Sequence, residues 1–422
     1  MREELSGASQ AELELRQFGI SVHNETDPLI QVAVWGPPGS EAALAQLLPA
    51  DQNLFFSEFD VVAARTEYQR MLDFLGENGV DVVVVQDLLL QNGRKPSDLD
   101  NHHIPQTKEQ LLDDLFWKAV NLHEKYGIGN LKATTDILPE LLVDDFERLG
   151  EQEAIYLNWM LSLRHNQPSG DIFYGRDQTN VLGDTMVYSS MRWPIRKPEV
   201  GMYKGAFDQV LNGQKTHRIR GDNAYLEGGD GIMVNGDIYM GVGGRTNLSG
   251  ATYAFRGLEH QLTGDKRMLL VVNEEEERLT RVQTKPGQEM GAMHLDTFWM
   301  PFGPDKDVLC CMEVAERRVV KEVVRGGDNN HITLVDRGDF PTFMSNEGFR
   351  VHDIPSDEQQ RYATNFLSLG PDKAIVAFSD NTTAMSHLEG ANITTLPVEM
   401  TALGGGYGAI HCMTSALKRV PK

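Results

Sequence analysis

The chain has 422 residues, 41% of them hydrophobic and 24% charged, which is ordinary for a globular protein and long enough to bury a large core in one domain or two. Its 61 acidic residues against 39 basic ones leave a net charge of −22, which excludes nucleic acid and anionic membrane as expected partners and suits a small cationic one. No run approaches eighteen apolar residues, so no membrane-spanning helix is expected.

From the N-terminus, Met1-Arg2-Glu3-Glu4-Leu5 is polar and lacks a signal-peptide core. Residues 30–36 read as a strand that ends in a Gly-Pro-Pro-Gly turn, residues 61–75 as a helix, and the β-branched run Val82 to Val85 as a buried strand. Residues 99–165 differ: Leu111, Leu112, Leu115, Phe116 and Ala119 follow a 3.6-residue period, residues 140–149 and 151–163 behave similarly, and strand-like runs are absent. This predicts a helical insertion between a first segment, 1–98, and the remainder, 166–422. Beyond Asp171 strands return. Gly231 to Val242 reads as strand, Asn-Gly turn and strand, and Phe366 to Ala377 repeats that plan. Each is followed by a polar corner and a helix-like segment. A strand–strand–helix–strand unit used several times predicts a closed, pseudo-symmetric α/β array whose number of units the sequence leaves open.

The three cysteines show no Cys-x-x-Cys or Cys/His metal spacing, and so few in so long a chain imply a reducing, cytoplasmic compartment. Cys310 and Cys311 sit in an apolar run and read as buried strand residues. Cys412 is different. It follows Gly404-Gly405-Gly406-Tyr407-Gly408, a lead-in too glycine-rich for a helix or central strand, and glycines in a row allow close approach of backbone. His294 and Asp296 lie two apart on what reads as a strand and would share a face. Glu227 and Asp230 flank two glycines before the first hairpin, and Asp177 follows Arg176.

Several carboxylates in one pocket repel unless a cation lies between them. A guanidinium pairs bidentately with carboxylates, so two aspartates could clamp it and orient its carbon. A thiolate is the side chain most able to attack that carbon, a histidine could protonate the leaving amine, and a carboxylate such as Glu227 would hold the histidine's protonation state. Read singly, each residue has a plainer role: an inert cysteine, a satisfied histidine, a Glu-Gly-Gly-Asp turn, an Asp177–Arg176 pair. His102-His103 lies in a polar loop without partners, so no metal site is expected there, and Gly404 to Gly406 lacks the Gly-Lys-Ser/Thr of a phosphate loop.

Taken in order, Val34 to Gly39, Arg176-Asp177, Met191 to Arg196, Leu226 to Asp230, Gly244-Arg245-Thr246, Met293 to Thr297 and His411 to Thr414 resemble the arginine deiminases of the guanidino-group-modifying, pentein superfamily. The resemblance spans nearly the whole chain. It implies an α/β propeller of ββαβ units with an inserted helical domain. It also implies Cys412 as nucleophile, His294 as general acid/base, Glu227 supporting His294, and Asp177 and Asp296 on the guanidinium. Arg196 and Arg245 would meet the substrate carboxylate. The implied reaction hydrolyses arginine to citrulline and ammonia without metal or organic cofactor, in a homo-oligomer. Two departures bear on the substrate: no Arg or Lys lies between Glu399 and Cys412 where the family carries an arginine, and Asp171 stands where the family usually has asparagine. Both act at the amino-acid end of the substrate. Rival readings are another guanidine such as agmatine or an arginine derivative, an amidinotransferase, and a pentein that binds without catalysis.

Overall fold

Five three-strand arrangements recur along the chain in this computed structural model. It describes residues 19–38, 60–91, 169–280, 292–326 and 331–421, with Ala42, Leu54 and Phe55 and excepting Gln209, Asn212 and Asp222. The expected helical insertion 99–165, the boundaries assigned to it and the His102-His103 pair lie outside the described residues.

In the first unit β1 (Leu29–Val34) runs through the helix Val61–Glu77 to the parallel strand β2 (Asp81–Val84). The helix begins where sequence chemistry places it, with the Asp60 carboxylate accepting from Ala63 N at 2.9 Å. The β-branched run stops one residue early as a strand. Val84 is opposite Val34, the last residue of β1, so Val85 has no ladder to join and opens the helix Val85–Gln91.

The second unit pairs β3 (Thr179–Leu182) antiparallel with β4 (Thr185–Tyr188), crosses through the helix Lys197–Phe207, and returns as β5 (Lys215–Arg218) parallel to β4. The third repeats this with β6 (Gly231–Val234), β7 (Asp237–Val242), the helix Leu248–Leu258 and β8 (Met268–Val272). Its Asn235-Gly236 turn has φ of +51° and +87°, the left-handed pair that hairpin twist demands. The fourth has β9 (Trp299–Phe302) and β10 (Asp307–Cys310). A detour then adds β11 (Val319–Arg325) and β12 (Ile332–Asp339) to the third sheet, before β13 (Arg350–Asp353) joins β10 in parallel. The fifth has β14 (Leu367–Gly370), β15 (Lys373–Ala377), the helix Thr382–Gly390 and β16 (Thr394–Val398). The last strand, β17 (Thr414–Arg419), pairs antiparallel with β1 and so completes the first unit from the other end of the chain.

The leading strands are inside. β3, β6, β9 and β14 are buried at every residue and β17 at all but Lys418; β17 packs against β3, β3 against β6, and β1 against β14. Cys310 ends β10, whereas Cys311 is off the strand and caps the helical turn Met312–Ala315; both are buried, as the apolar run predicts, and both are free thiols.

Candidate active site

Each unit delivers polar side chains just before its leading strand. Asp177 precedes β3, Glu227 and Asp230 precede β6, His294 and Asp296 precede β9, Asn365 precedes β14, and His411 and Cys412 precede β17. Residues far apart in sequence meet because equivalent ends of neighbouring strands meet. His294 and Asp296 are not on a strand. His294 caps and Asp296 lies within a tight turn, Leu295–Thr297, in which Thr297 donates to the His294 carbonyl through its N–H (3.2 Å) and its hydroxyl (2.6 Å). Short polar side chains that bond nearby backbone compete with a sheet ladder. The pair therefore sits at a turn instead of on a strand, and both side chains still face Cys412. His294 Nε2 meets Glu227 Oε2 at 3.1 Å, while Asp296 turns toward Cys412, its Oδ2 lying 3.9 Å from Sγ. Gly229 makes this possible: a Cβ there would lie 2.8 Å from His294 Nδ1 and 3.2 Å from Asp296 Oδ1.

The glycine lead-in to Cys412 does form a helical turn, Leu403–Gly406, contrary to the expectation of pure loop. Glu67 of the helix Val61–Glu77 accepts from Ala402 N and Leu403 N, both at 2.9 Å, and caps it. Close approach is what the glycines permit, since a Cβ on Gly406 would fall 2.6 Å from the Tyr174 hydroxyl.

Asp177 and Asp296 are built alike. Asp177 Oδ2 accepts from Arg196 at 2.7 Å and Asp296 Oδ2 pairs with His411 Nδ1 at 2.7 Å. The other oxygen of each, Oδ1, is buried without a hydrogen-bond partner, as is His294 Nδ1, which lies 3.6 Å from Asp177 Oδ1. A buried acceptor without a donor is costly unless a ligand supplies one. Arg176, which the sequence offered as the plain partner of Asp177, goes elsewhere: to Glu25 (3.2 Å), to His411 Nε2 (2.7 Å) and to Asn180 (3.1 Å).

Burial, and after it the Asp296 carboxylate, pushes the Cys412 thiol up to about 12; Asp177 adds to this and His294 opposes it. Burial disfavours charge on His294, but Asp177, Cys412, Glu227 and Asp230 outweigh it and hold the imidazole well above its ordinary value, making it an imidazolium at neutral pH. Burial likewise opposes charge on Glu227, which Arg245, His294 and Arg196 nevertheless keep below the usual carboxylate range. Burial pushes Asp230 up to about 7. The surroundings thus favour the neutral form of the Cys412 thiol and the protonated form of His294.

Arg196 and Arg245 lie inside the same cluster. Arg196 also bonds Glu199 at 3.0 Å and the Asp171 carbonyl at 3.2 Å, and Arg245 reaches Glu227 Oε2 at 3.3 Å. Asp171 is buried with Oδ1 unpartnered, and burial raises its carboxyl well above the ordinary range although Arg196 opposes this. Asp177, Glu227 and His294 offer ligand atoms within 4.8 Å of one another, the spacing of a metal site. Two guanidiniums already compensate that cluster: Arg196 bonds Asp177 and lies 3.7 Å from Glu227, and Arg245 bonds Glu227. A divalent ion there would face both, so the donor set does not suit one.

Asn365 escaped the sequence reading. Its Nδ2 donates to Cys412 Sγ at 3.1 Å and its Oδ1 accepts from Cys412 N at 3.1 Å. The signal was present, because the repeat seen from Phe366 onward has Thr364-Asn365 just ahead of it, where the other units carry their polar groups. Glu25 was missed without a signal. It is a lone acid near the N-terminus, yet it bridges Arg176, His411 and Arg419 at 3.1 to 3.2 Å.

The family model for arginine deiminase matches residues 51–419. Arginine deiminases of Halobacterium salinarum and Metamycoplasma arthritidis are 25% and 24% identical to the chain, over 94% and 95% of it and 96% and 97% of their own lengths. Among solved structures, an amidinotransferase from Microseira wollei in a saxitoxin biosynthetic pathway aligns over 96% of this chain and 98% of its own, with a TM-score of 0.55 at 15% identity. Dimethylarginine dimethylaminohydrolase from Pseudomonas aeruginosa, solved with citrulline, aligns over 92% and 99% with a TM-score of 0.52 at 13% identity. Both have the pentein fold, the α/β propeller expected from the motifs.

Proposed function

Because the chain belongs to the arginine deiminase family, hydrolases of guanidino carbon–nitrogen bonds, we propose that it converts L-arginine to citrulline and ammonia through a covalent adduct on Cys412. The observation that carries this is the matched pair Asp177 and Asp296, each with one oxygen fixed and one buried acceptor unfilled. A planar cation with donors on both sides answers both acceptors at once, and a guanidinium is such a cation.

The same docking activates the nucleophile. After burial, the groups that push the thiol up are Asp296 and Asp177, and a guanidinium seated between them cancels their field, so the thiol loses its proton to solvent as substrate binds. Sγ then forms a bond to the guanidinium carbon and the C=N electron pair moves onto nitrogen. The His294 imidazolium donates its proton to one amine, the C–N bond breaks, and ammonia leaves a thiouronium. Neutral His294, held by Glu227, takes a proton from water as its oxygen adds to the carbon. Collapse of that adduct expels the Cys412 thiolate, releases the hydroxyl proton to solvent and leaves the citrulline ureido group. Arg196 and Arg245, which the resemblance assigns to the substrate carboxylate, pair here with Asp177, Glu199 and Glu227, and meeting that carboxylate would require them to share those partners.

One observation favours a second substrate. A carboxyl at Asp171, with Oδ1 buried and unpartnered, suits an ammonium better than a carboxylate, as in agmatine or an arginine derivative. Incubation with each guanidine and product analysis separates the readings: citrulline with ammonia from arginine supports the first, and ammonia released only from agmatine the second. His294→Ala, acid-quenched with substrate, should accumulate a mass adduct at Cys412. An adduct at Cys310 or Cys311, with Cys412 unmodified, would defeat the assignment of the nucleophile.

A further inference from the structure

Four of the five units supply a group that the proposed reaction uses; the fifth supplies Asn365, which is buried and has no role in it so far. We propose that Asn365 is a further catalytic residue, which clamps Cys412 in its attacking orientation and hydrogen-bonds the sulfur as a thiolate. This deepens the reading above and rests on Cys412 being the nucleophile.

The carboxamide orientation is set by its surroundings. Oδ1 faces Cys412 N–H at 3.1 Å, and the reverse orientation would set an NH2 group against that donor. Nδ2 must therefore face Sγ, also at 3.1 Å. One rigid amide thus holds both ends of the same residue and restricts rotation of the Cys412 side chain. Asn365 is itself pinned, since its N–H donates to the Tyr362 carbonyl at 2.9 Å and its carbonyl accepts from His411 N at 3.2 Å.

The charged groups around the sulfur make this donor matter. Asp296 and Asp177 face it as anions that oppose the thiolate, and His294 faces it as a cation that favours it. Tyr174 and Tyr362, whose phenols burial holds far above their ordinary range, are further titratable neighbours, and His411 bonds the Asp296 oxygen that faces the sulfur. In the resting thiol the sulfur accepts from Asn365 and donates to Asp296 Oδ2 at 3.9 Å. On ionisation the second contact turns repulsive, whereas the first becomes charge-assisted and stronger. In the thiouronium the sulfur carries two carbons and accepts only weakly. Asn365 therefore favours the state that attacks and, on collapse of the hydrated adduct, the state that leaves.

The test is the pH dependence of alkylation of Cys412 by iodoacetamide, an uncharged probe, read by peptide mass mapping without arginine present. Asn365→Ala should shift the midpoint up by about one to two units, slowing alkylation at pH 8 roughly tenfold to hundredfold. Asn365→Asp keeps an oxygen for Cys412 N–H but replaces the sulfur's donor by an anion, and should be slower still. In both, kcat for arginine should fall more than KM changes, because the amide touches the sulfur and not the ground-state substrate. A purely structural asparagine would lower the melting temperature and leave the alkylation midpoint in place; that result overturns the proposal. So does a crystal structure of the wild-type protein with the Asn365 amide turned away from Sγ, whether or not the variants fold. Alkylation is independent of turnover, so its failure leaves the arginine reading intact, and a wild-type protein that makes no citrulline leaves the alkylation result standing.

Discussion

Replacing Asp296 by asparagine should make Cys412 more ionised and the enzyme less active. Asp296 is the first cause, after burial, of the raised thiol, and its Oδ2 lies 3.9 Å from Sγ. Two unit charges about 4 Å apart interact by about 4 kcal/mol at an effective dielectric near 20, which is about three pKa units. That is an upper bound, since His411 Nδ1 bonds the same oxygen at 2.7 Å and shares its charge. A drop of one to three units from about 12 means that Asp296→Asn should alkylate at pH 8 roughly tenfold to a thousandfold faster than wild type. Turnover should fall at the same time, because the amide brings an NH2 donor and no charge to the guanidinium. The pair of measurements is iodoacetamide alkylation of Cys412 across pH 7–11 and citrulline formation from arginine. Alkylation unchanged or slower in a folded variant would refute the reasoning that Asp296 suppresses the thiol until a cation arrives. Faster alkylation with undiminished turnover would remove Asp296 from the substrate clamp.

Other outcomes follow from the same network. Glu25 is held well below its usual value: burial opposes its charge, and Arg176, Arg419 and His411 outweigh burial. A depressed carboxylate contributes stability that is present above its unfolded value, near 4.5, and is lost as pH falls through the folded one. Glu25→Gln should therefore cost about 3–5 kcal/mol at pH 7, with a smaller gap from wild type at pH 3; an equal gap at both, in denaturant titrations, would contradict the assignment. Asp171 is raised by burial, so its charge appears only as pH rises. The ratio of kcat/KM for arginine over agmatine should fall with pH in wild type and stay flat in Asp171→Asn, and two parallel profiles would mean that Asp171 does not read the substrate. Chelators should leave turnover unchanged, since Arg196 and Arg245 already compensate the Asp177, Glu227 and His294 cluster; activity lost in EDTA and restored by a divalent ion would show otherwise.

The sequence by itself determined what depends on neighbours in the chain. The Asn235-Gly236 hairpin, the helix that starts at Val61, the buried Cys310-Cys311 run and the ββαβ repeat were legible because turn residues and hydrophobic period act over a few residues. The candidates Cys412, His294, Glu227, Asp177 and Asp296 were legible as residue types and motifs. Only the tertiary structure decided which oxygen of which aspartate stays unfilled, that His294 and Asp296 sit at a turn and not on a strand, and that Arg176 serves Glu25 and not Asp177. It also decided that there are five units among the described residues and that the first borrows β17 from the far end of the chain. Pairing across 380 or so residues leaves no local pattern, because a long loop costs little more to close than a moderate one. Asn365 and Glu25 act at a distance of 47 and 386 residues from the groups they hold. Nothing in their own neighbourhoods encodes those partners: burial and charge assign them only once the strands have brought the polar groups together.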